Sequence, residues 1–539
     1  MNRPLIYLFS VLLILCSCQS APPKQDIVSS NHFRKAVEEH LKEWIDYSLS
    51  KEFSDSLFCP HAVSKFLSAK KNLPSFSDSS QWLAITDSLI NALYDSENAG
   101  LTPTRFHLQK IVNDITASRL DSNSANDAAL FARTEVLMCD AFFQAANELC
   151  FSQYSPDSIR IRKEKRFSDS MLIALLNEFI LKKSFSAVVS VYEPKHPQYS
   201  ALKNELRTFR SQFENAIWIQ VPDTPSRTKE FRELLKERLT ASCDYDSTLH
   251  RSDSMKVVLA IKSFQRTHGL FDDGVPGKRT LAAMNYSPAD RIKQISLTLD
   301  QWRAEPDSFP LRYIFVNLPS FHLDYTVDDT VRLFSKIICG EPPHHLSPVL
   351  NGKVGYFILF PYWYVPFSIA TKEILPHLQR DTAYLRKHNM DVLNQSREII
   401  DASKIAWKKY SKKYFPFIIR QREGEDNSLG VVKFIFNNKY GIYMHETDAR
   451  GLFKKDYRAL SHGCIRIEKA VALAYQLAKI DSVKYPTDSI STWFGKKMKK
   501  QVNLKETVPV YIRYNLCEVV NGKIVFYEDI YREFKDIKI

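Results

Sequence analysis

The stretch His445–Ile467, HETDARGLFKKDYRALSHGCIRI, holds two histidines, a cysteine and a conspicuous turn, Ser461-His462-Gly463-Cys464. His445 lies nineteen residues upstream of Cys464. The thiolate, not the thiol, is the nucleophilic form of cysteine, and a free thiol is only partly ionised at neutral pH. An imidazole that takes the proton makes such a cysteine an acyl-transfer nucleophile. The residues GIYMHE read as a strand, which places His445 at a strand end, and ARGLFKKDYRAL reads as a polar, basic connecting loop. After Cys464, IRIEKAVALAYQLAKI spaces Val471, Ala474, Tyr475 and Ala478 at three-to-four intervals, which predicts a helix. A cysteine just ahead of a helix N-terminus has its thiolate favoured by the helix dipole. Gly463 permits a tight turn in which the N–H groups of Gly463 and Cys464 point at a developing oxyanion.

Two plainer readings share these residues. Cys464 is a small buried apolar side chain in one. In the other, His445, His462 and Cys464 hold zinc, although no fourth ligand and no CxxC spacing accompany them.

The pattern His-x15-Ser-His-Gly-Cys resembles the signature of the L,D-transpeptidases, the YkuD-type cysteine enzymes of bacterial cell walls. Ile465-Arg466 after the cysteine is similar to the larger subgroup, which adds a scaffold domain and a peptidoglycan-binding insert. The resemblance implies a multidomain α+β chain: an α-helical N-terminal scaffold, a small helical peptidoglycan-binding module and a mainly β catalytic domain with a capping insert. It further implies that Cys464 attacks the third residue of a tetrapeptide stem, releases the terminal D-alanine and passes the acyl group to another stem, giving a 3-3 crosslink. His445 is then the base. Gly463 and Cys464 N–H groups, with His462, hold the oxyanion. The resemblance also implies acylation by carbapenem-type inhibitors, and neither a metal nor an organic cofactor is expected. Arg466 is placed to meet a substrate carboxylate through its planar fork or to sit in a structural ion pair. Tyr443, two residues before His445 on a strand, faces the same side and lines the pocket. Ser461 orients His462 or caps the turn.

Within the same fold, water in place of the acceptor amine gives a carboxypeptidase or a hydrolase of wall–protein links. From a different class, the chain is a wall-binding lipoprotein whose catalytic domain is structural; the intact His445, His462, Gly463 and Cys464 speak against that.

At 539 residues the chain has room for several domains. Its formal net charge of +13 favours polyanionic surroundings or simply a solvated basic surface, and no nucleic-acid-binding motif accompanies it. Residues 1–18, MNRPLIYLFSVLLILCSC, combine a charged start with an apolar run too short to be an ordinary membrane span. They resemble a lipoprotein signal, with Cys18 as the acylated first residue of the mature chain; a plain secretory signal or a short uncleaved anchor is the alternative. Residues 19–29 follow as a polar, proline-containing tether. The expected location is the cell envelope, membrane-anchored and facing the periplasm. The remaining cysteines are widely spaced, unlike those of a disulfide scaffold. Cys139 and Cys150 share one helical stretch, where about 1.5 Å of rise per residue keeps them too far apart to pair.

Residues 30–221 read as helical, with Phe33, Val37, Leu41, Trp44 and Ile45 on one face and Trp82, Ile85, Leu89 and Leu93 on another. Residues 230–287 contain SMKVVLAIKSFQRTHGLFDDGVPGKRTLAAMN, in which Val258, Ile261, Phe264 and Gln265 lie on a helix and DDGVPG is a turn. This is similar to the peptidoglycan-binding repeat, read either as a binding module or as a spacer. Strand alternation then dominates residues 292–485, interrupted by the basic, partly helical insert 366–425, and predicts a twisted sheet or sandwich. Phe360 and Tyr364 stand where the relatives tend to have asparagine. Residues 486–539 complete the fold with a hairpin turning at Asn521-Gly522.

Overall fold

The computed structural model describes residues 24–48, 57–121, 123, 126–154, 166–534 and 537. The candidate signal, Cys18 and the side chain of Ile45 lie outside the described residues. The described residues of Met1–Tyr94, Pro103–Asn147 and Phe167–Val191 form one compact unit, and those of Asp95–Thr102, Glu148–Arg166 and Tyr192–Ile539 a second.

The first unit is helical. Its helices include Lys24–Ser48, Pro60–Ala69, Ala84–Asp95, Leu108–Leu120, Asp169–Lys182 and most of Ala128–Cys150. The apolar stripe of the first helix buries Val37 and Leu41. Helix Ala128–Cys150 is buried on nearly every side. Two of its buried carboxylates anchor neighbouring segments. Asp140 accepts from the N–H groups of Phe58 and Cys59, at 3.0 and 2.7 Å, and pairs with His107 at 2.9 Å. Glu135 accepts from the N–H groups of Ser75 and Phe76 and from the Ser77 hydroxyl, at 2.8–3.2 Å. Trp82 departs from the sequence reading. It lies on a two-residue strand, β2 (Gln81–Trp82), paired with β1 (Ser77–Asp78), and stacks on Phe131 at 4.4 Å. The helix starts at Ala84, because the local hydrogen bonds of the β1–β2 turn claim the two residues before it.

In the second unit, helices Lys229–Ala241, Asp253–Thr267 and Lys278–Met284 share a core of Phe231, Leu235, Val257, Ile261, Phe264 and Leu281. Val258 is half-buried on the edge of this face. Gln265 is spent internally: its amide nitrogen donates to Asp273, to the Val275 carbonyl and to Thr280, and its oxygen accepts from the Gly274 N–H. That accounts for a glutamine eight residues ahead of an Asp-Gly turn. Helix Pro288–Trp302 follows and opens with a capping box between Ser287 and Asp290.

The β region contains strands β3 (Arg312–Asn317), β4 (His322–Val327), β5 (Thr330–Gly340), β6 (Leu350–Leu359), β11 (Val432–Phe436), β12 (Met444–His445), β13 (Ala459–Ser461), β14 (Ile465–Ile467) and β15 (Lys500–Arg513). Their order is β13-β5-β14-β12-β11-β6-β15-β3-β4, and β4 also pairs with β5. The sheet is therefore neither open nor a two-sheet sandwich but closes through the eleven-residue β5, which pairs with β4 along its first part and with β13 and β14 at its end. Alternating apolar side chains, among them Val316, Ile337, Phe357, Phe434, Met444, Ile465 and Ile512, build one core. Helix Ala470–Ala478 packs Leu473, Ala474 and Leu477 into the same core.

The insert forms its own small sheet, ordered β7 (Trp363–Tyr364), β10 (Ile418–Gln421), β8 (Met390–Leu393) and β9 (Ile399–Ile400), around Ile374, Leu378, Trp407, Phe415 and Ile419. Near the C-terminus, β16 (Cys517–Val520) and β17 (Lys523–Phe526) form a hairpin. Asn521 and Gly522, both at positive φ, make the tight turn that favours this dipeptide. Long strand β15, with VPVYIR at its end, joins the main sheet rather than the hairpin.

Candidate active site

Strand register gathers the predicted side chains. β12 runs parallel to β14, with Met444 opposite Ile465 and His445 opposite Arg466. The ladder extends one residue further, where the Ile465 N–H donates to the Tyr443 carbonyl at 3.2 Å, so Tyr443 and Cys464 are neighbours. Met444 and Ile465 are in the core. Because side chains alternate along a strand, Tyr443, His445, Cys464 and Arg466 share the opposite face. β11 contributes Lys433, in register with His445, while its neighbours Val432 and Phe434 face the core.

The sulfur of Cys464 is partly exposed and unbonded to any other cysteine. Burial pushes its thiol up from the ordinary value, and four nearby influences pull it down: the N–H of Tyr443, the charge of Lys433, the hydroxyl of Tyr443 and the charge of Arg466. Burial first, then the neighbouring Cys464, push the Tyr443 phenol up from its ordinary value, and Trp363 of β7 pulls it down. His445 is buried, and its Nδ1 donates to the Glu446 carbonyl, which fixes the tautomer and leaves Nε2 as the basic nitrogen. Burial first, then the Arg466 charge, lower this imidazole to about 3. Both members of the pair are therefore neutral at rest.

The Ser461–Cys464 turn is tied down from within and from the loop after β5. Ser461 Oγ accepts from the Gly463 N–H at 3.1 Å and donates to the Cys464 carbonyl at 2.6 Å. Ser347 Oγ donates to the Gly463 carbonyl at 2.7 Å and accepts from the Gly340 N–H at 2.9 Å. Gly463 has φ +109°, a region unfavourable to any side chain, although a Cβ there would meet only ordinary contacts.

The Gly463 N–H is used inside the turn by Ser461 and is not presented to an oxyanion as expected. Of the two readings of Ser461, closing the turn is the one observed. The helix dipole does not act on Cys464, because Ile465–Ile467 is a strand and the helix begins at Ala470; the apolar spacing was carried five residues too far toward the N-terminus. His462 points outward: its Nε2 pairs with Glu373 of the insert at 2.8 Å, and its ring packs against His345 at 4.8 Å. Among the described residues no group of three or more His, Cys, Asp or Glu is gathered as a metal site would need, His445, His462 and Cys464 included.

Lys433, Trp363 and Glu373 were missed in the sequence. The first had a signal, a lysine in the middle of the apolar strand VVKFIF. Trp363, on β7 just ahead of the insert, and Glu373 within it are brought near by tertiary folding alone.

Comparisons with known proteins fall on the same regions. Residues 311–504 match the family model for the L,D-transpeptidase catalytic domain, YkuD. The chain carries a YkuD-type L,D-transpeptidase domain. Ahead of this L,D-transpeptidase domain, residues 61–206 match the Scaffold domain and residues 228–284 the "Putative peptidoglycan binding domain". A protein of Haemophilus influenzae described as "Putative L,D-transpeptidase" is 31% identical over 247 residues, 46% of this chain and 49% of that protein. The chain thus spans about half the length of the curated relative it matches. The crystal structure of an L,D-transpeptidase (Yku) from Stackebrandtia nassauensis is 16% identical, with 55% of this chain and 97% of that chain covered and a TM-score of 0.20. Helical N-terminal region, helical peptidoglycan-binding domain and mainly β L,D-transpeptidase domain follow one another along the chain, as the sequence predicted.

Proposed function

We propose that the chain is an L,D-transpeptidase that joins peptidoglycan stem peptides, with Cys464 as nucleophile and His445 as base. The observation that carries this reading is the shared face of β12 and β14, which sets Cys464 beside His445 with Nε2 of the imidazole free of its own proton.

The sulfur attacks the carbonyl of the third stem residue, and the thiol proton passes to His445 Nε2. The tetrahedral adduct collapses, the C–N bond to the terminal D-alanine breaks, and the imidazolium returns the proton to the leaving amine. The side-chain amine of a second stem then attacks the thioester, forming the 3-3 amide and releasing the Cys464 thiol. Because the imidazole is a weak base here, proton removal and attack are coupled, and the Tyr443 donors and the cations carry the negative charge of the sulfur in the transition state. Arg466 is assigned to the stem carboxylate. The Cys464 N–H serves the oxyanion in place of the Gly463 N–H. The insert covers the site, with Glu373 on His462 as its contact. Membrane anchoring through Cys18, a periplasmic location and thioester formation with carbapenems belong to the same reading, as does retention of the peptidoglycan-binding module near its polymer.

Mass spectrometry of the wild type and Cys464→Ala with a disaccharide tetrapeptide tests it. Two stems joined with loss of D-alanine, absent from the variant, is the expected result. Loss of D-alanine without joining would replace the transferase by a hydrolase. No turnover and no carbapenem adduct on Cys464 would leave a wall-binding lipoprotein.

A further inference from the structure

Lys433 enters this chemistry so far only as one of two cations near the sulfur, yet its placement is unusual. It stands on β11 opposite His445, on the face that carries Cys464. Its Nζ lies 3.6 Å from the centre of the Tyr443 ring, a close cation–π contact. Among the described residues no Asp or Glu oxygen comes within ion-pair distance of it. A partly buried ammonium without a carboxylate is costly to keep, and something else on this face must offset that cost.

We propose that Lys433 is a positioning residue for the nucleophile: its ammonium, seated on the Tyr443 ring, holds that ring beside Cys464 and supplies the positive charge that the attacking sulfur requires. The inference rests on the reading of Cys464 as the nucleophile. The groups facing the sulfur are Tyr443 and His445 from β12, Lys433 from β11 and Arg466 from β14. His445 is neutral. Tyr443 brings a dipole without a charge. Arg466 is partly compensated by Asp448. Lys433 is the cation in this set whose only charged influence is the sulfur itself, and burial lowers its own affinity for a proton while the sulfur raises it. A positive charge at this point is worth more during attack than at rest, since the sulfur is mostly protonated in the free enzyme.

The test is the pH dependence of Cys464 alkylation by iodoacetamide in the full chain, followed on the Cys464 peptide by mass spectrometry so that exposed Cys243 does not contribute. In Lys433→Met the midpoint is expected to move to higher pH, with about a tenfold slower reaction at neutral pH for each unit moved. Lys433→Arg, which keeps the charge, is expected to restore the wild-type profile. Lys433→Gln gives the same comparison if the methionine variant does not fold, as judged by its melting. An unmoved midpoint in the neutral variants, or an equal displacement in Lys433→Arg, overturns the proposal. Carbapenem acylation of wild-type Cys464 is measured alongside. Its absence would sink the nucleophile reading, whereas acylation with an unmoved midpoint would sink the Lys433 assignment alone.

Discussion

At the level of single residues, His445 sets the pH behaviour of the site. Its ordinary value of 6.5 falls to about 3 in the fold, so the folded protein binds fewer protons than the unfolded chain between those limits. The stability it contributes is complete above about 6.5 and is lost as pH falls toward about 3. For chemistry the sign is equally definite. Carbapenem acylation of Cys464 should rise with pH as the sulfur ionises and show no separate histidine step near 6.5; a pH–rate profile with a clear inflection there would contradict a buried, neutral imidazole. The pair Cys464 and His445 was legible because the spacing of a motif survives in sequence. The fate of the Gly463 N–H was not, because a serine two residues away competes for it only once the turn has formed. Lys433 was visible as a lone charge in an apolar strand, but its direction depends on register with β12, which no local pattern supplies.

Among the elements, the two anchoring carboxylates of helix Ala128–Cys150 show how a helical unit fixes its connections. Glu135 meets donors on both oxygens and is fully buried. Glu135→Gln would turn an amide nitrogen toward backbone N–H groups, leaving donors unpaired, and should cost about 1–3 kcal/mol; denaturant unfolding with unchanged far-UV spectra is the measurement. A loss within a few tenths of a kcal/mol would mean that the clip is not holding the turn. Helices of this unit were readable from apolar periodicity, since tertiary packing agrees with local preference. Trp82 was misassigned because its indole fits either a helix face or a strand, and stacking on Phe131 decides between them. In the insert, basic composition hid the short strands β7 to β10, whose partners lie up to about sixty residues apart in sequence.

For the molecule as a whole, the sequence separates a helical portion from a β portion, and the order of the three matched regions along the chain follows that separation. Closure of the sheet was beyond local reading, because the pairing of β5 with β14 and of β3 with β15 joins strands more than a hundred residues apart. Among the described residues no helix is long and apolar enough to cross a membrane. On the proposed lipoprotein reading, Cys18→Ser should move the protein from the membrane fraction to the soluble fraction of envelope extracts. Persistence of the variant in the membrane fraction would point to an uncleaved apolar anchor instead.

Closure of the sheet through β5 also limits what its strands can pair with. Eight strands, β5-β14-β12-β11-β6-β15-β3-β4, run in a ring and each has a bonded neighbour on both flanks. A ring offers no open row of amides and carbonyls on which a second chain might add a strand. Edges remain on the three-residue β13, on the outer strands of the insert sheet, on β1 and β2 and on the hairpin β16–β17, all of four residues or fewer and poor templates for such growth. The main sheet is thereby guarded against strand addition by the same hydrogen bonds that hold the face carrying Cys464 in place.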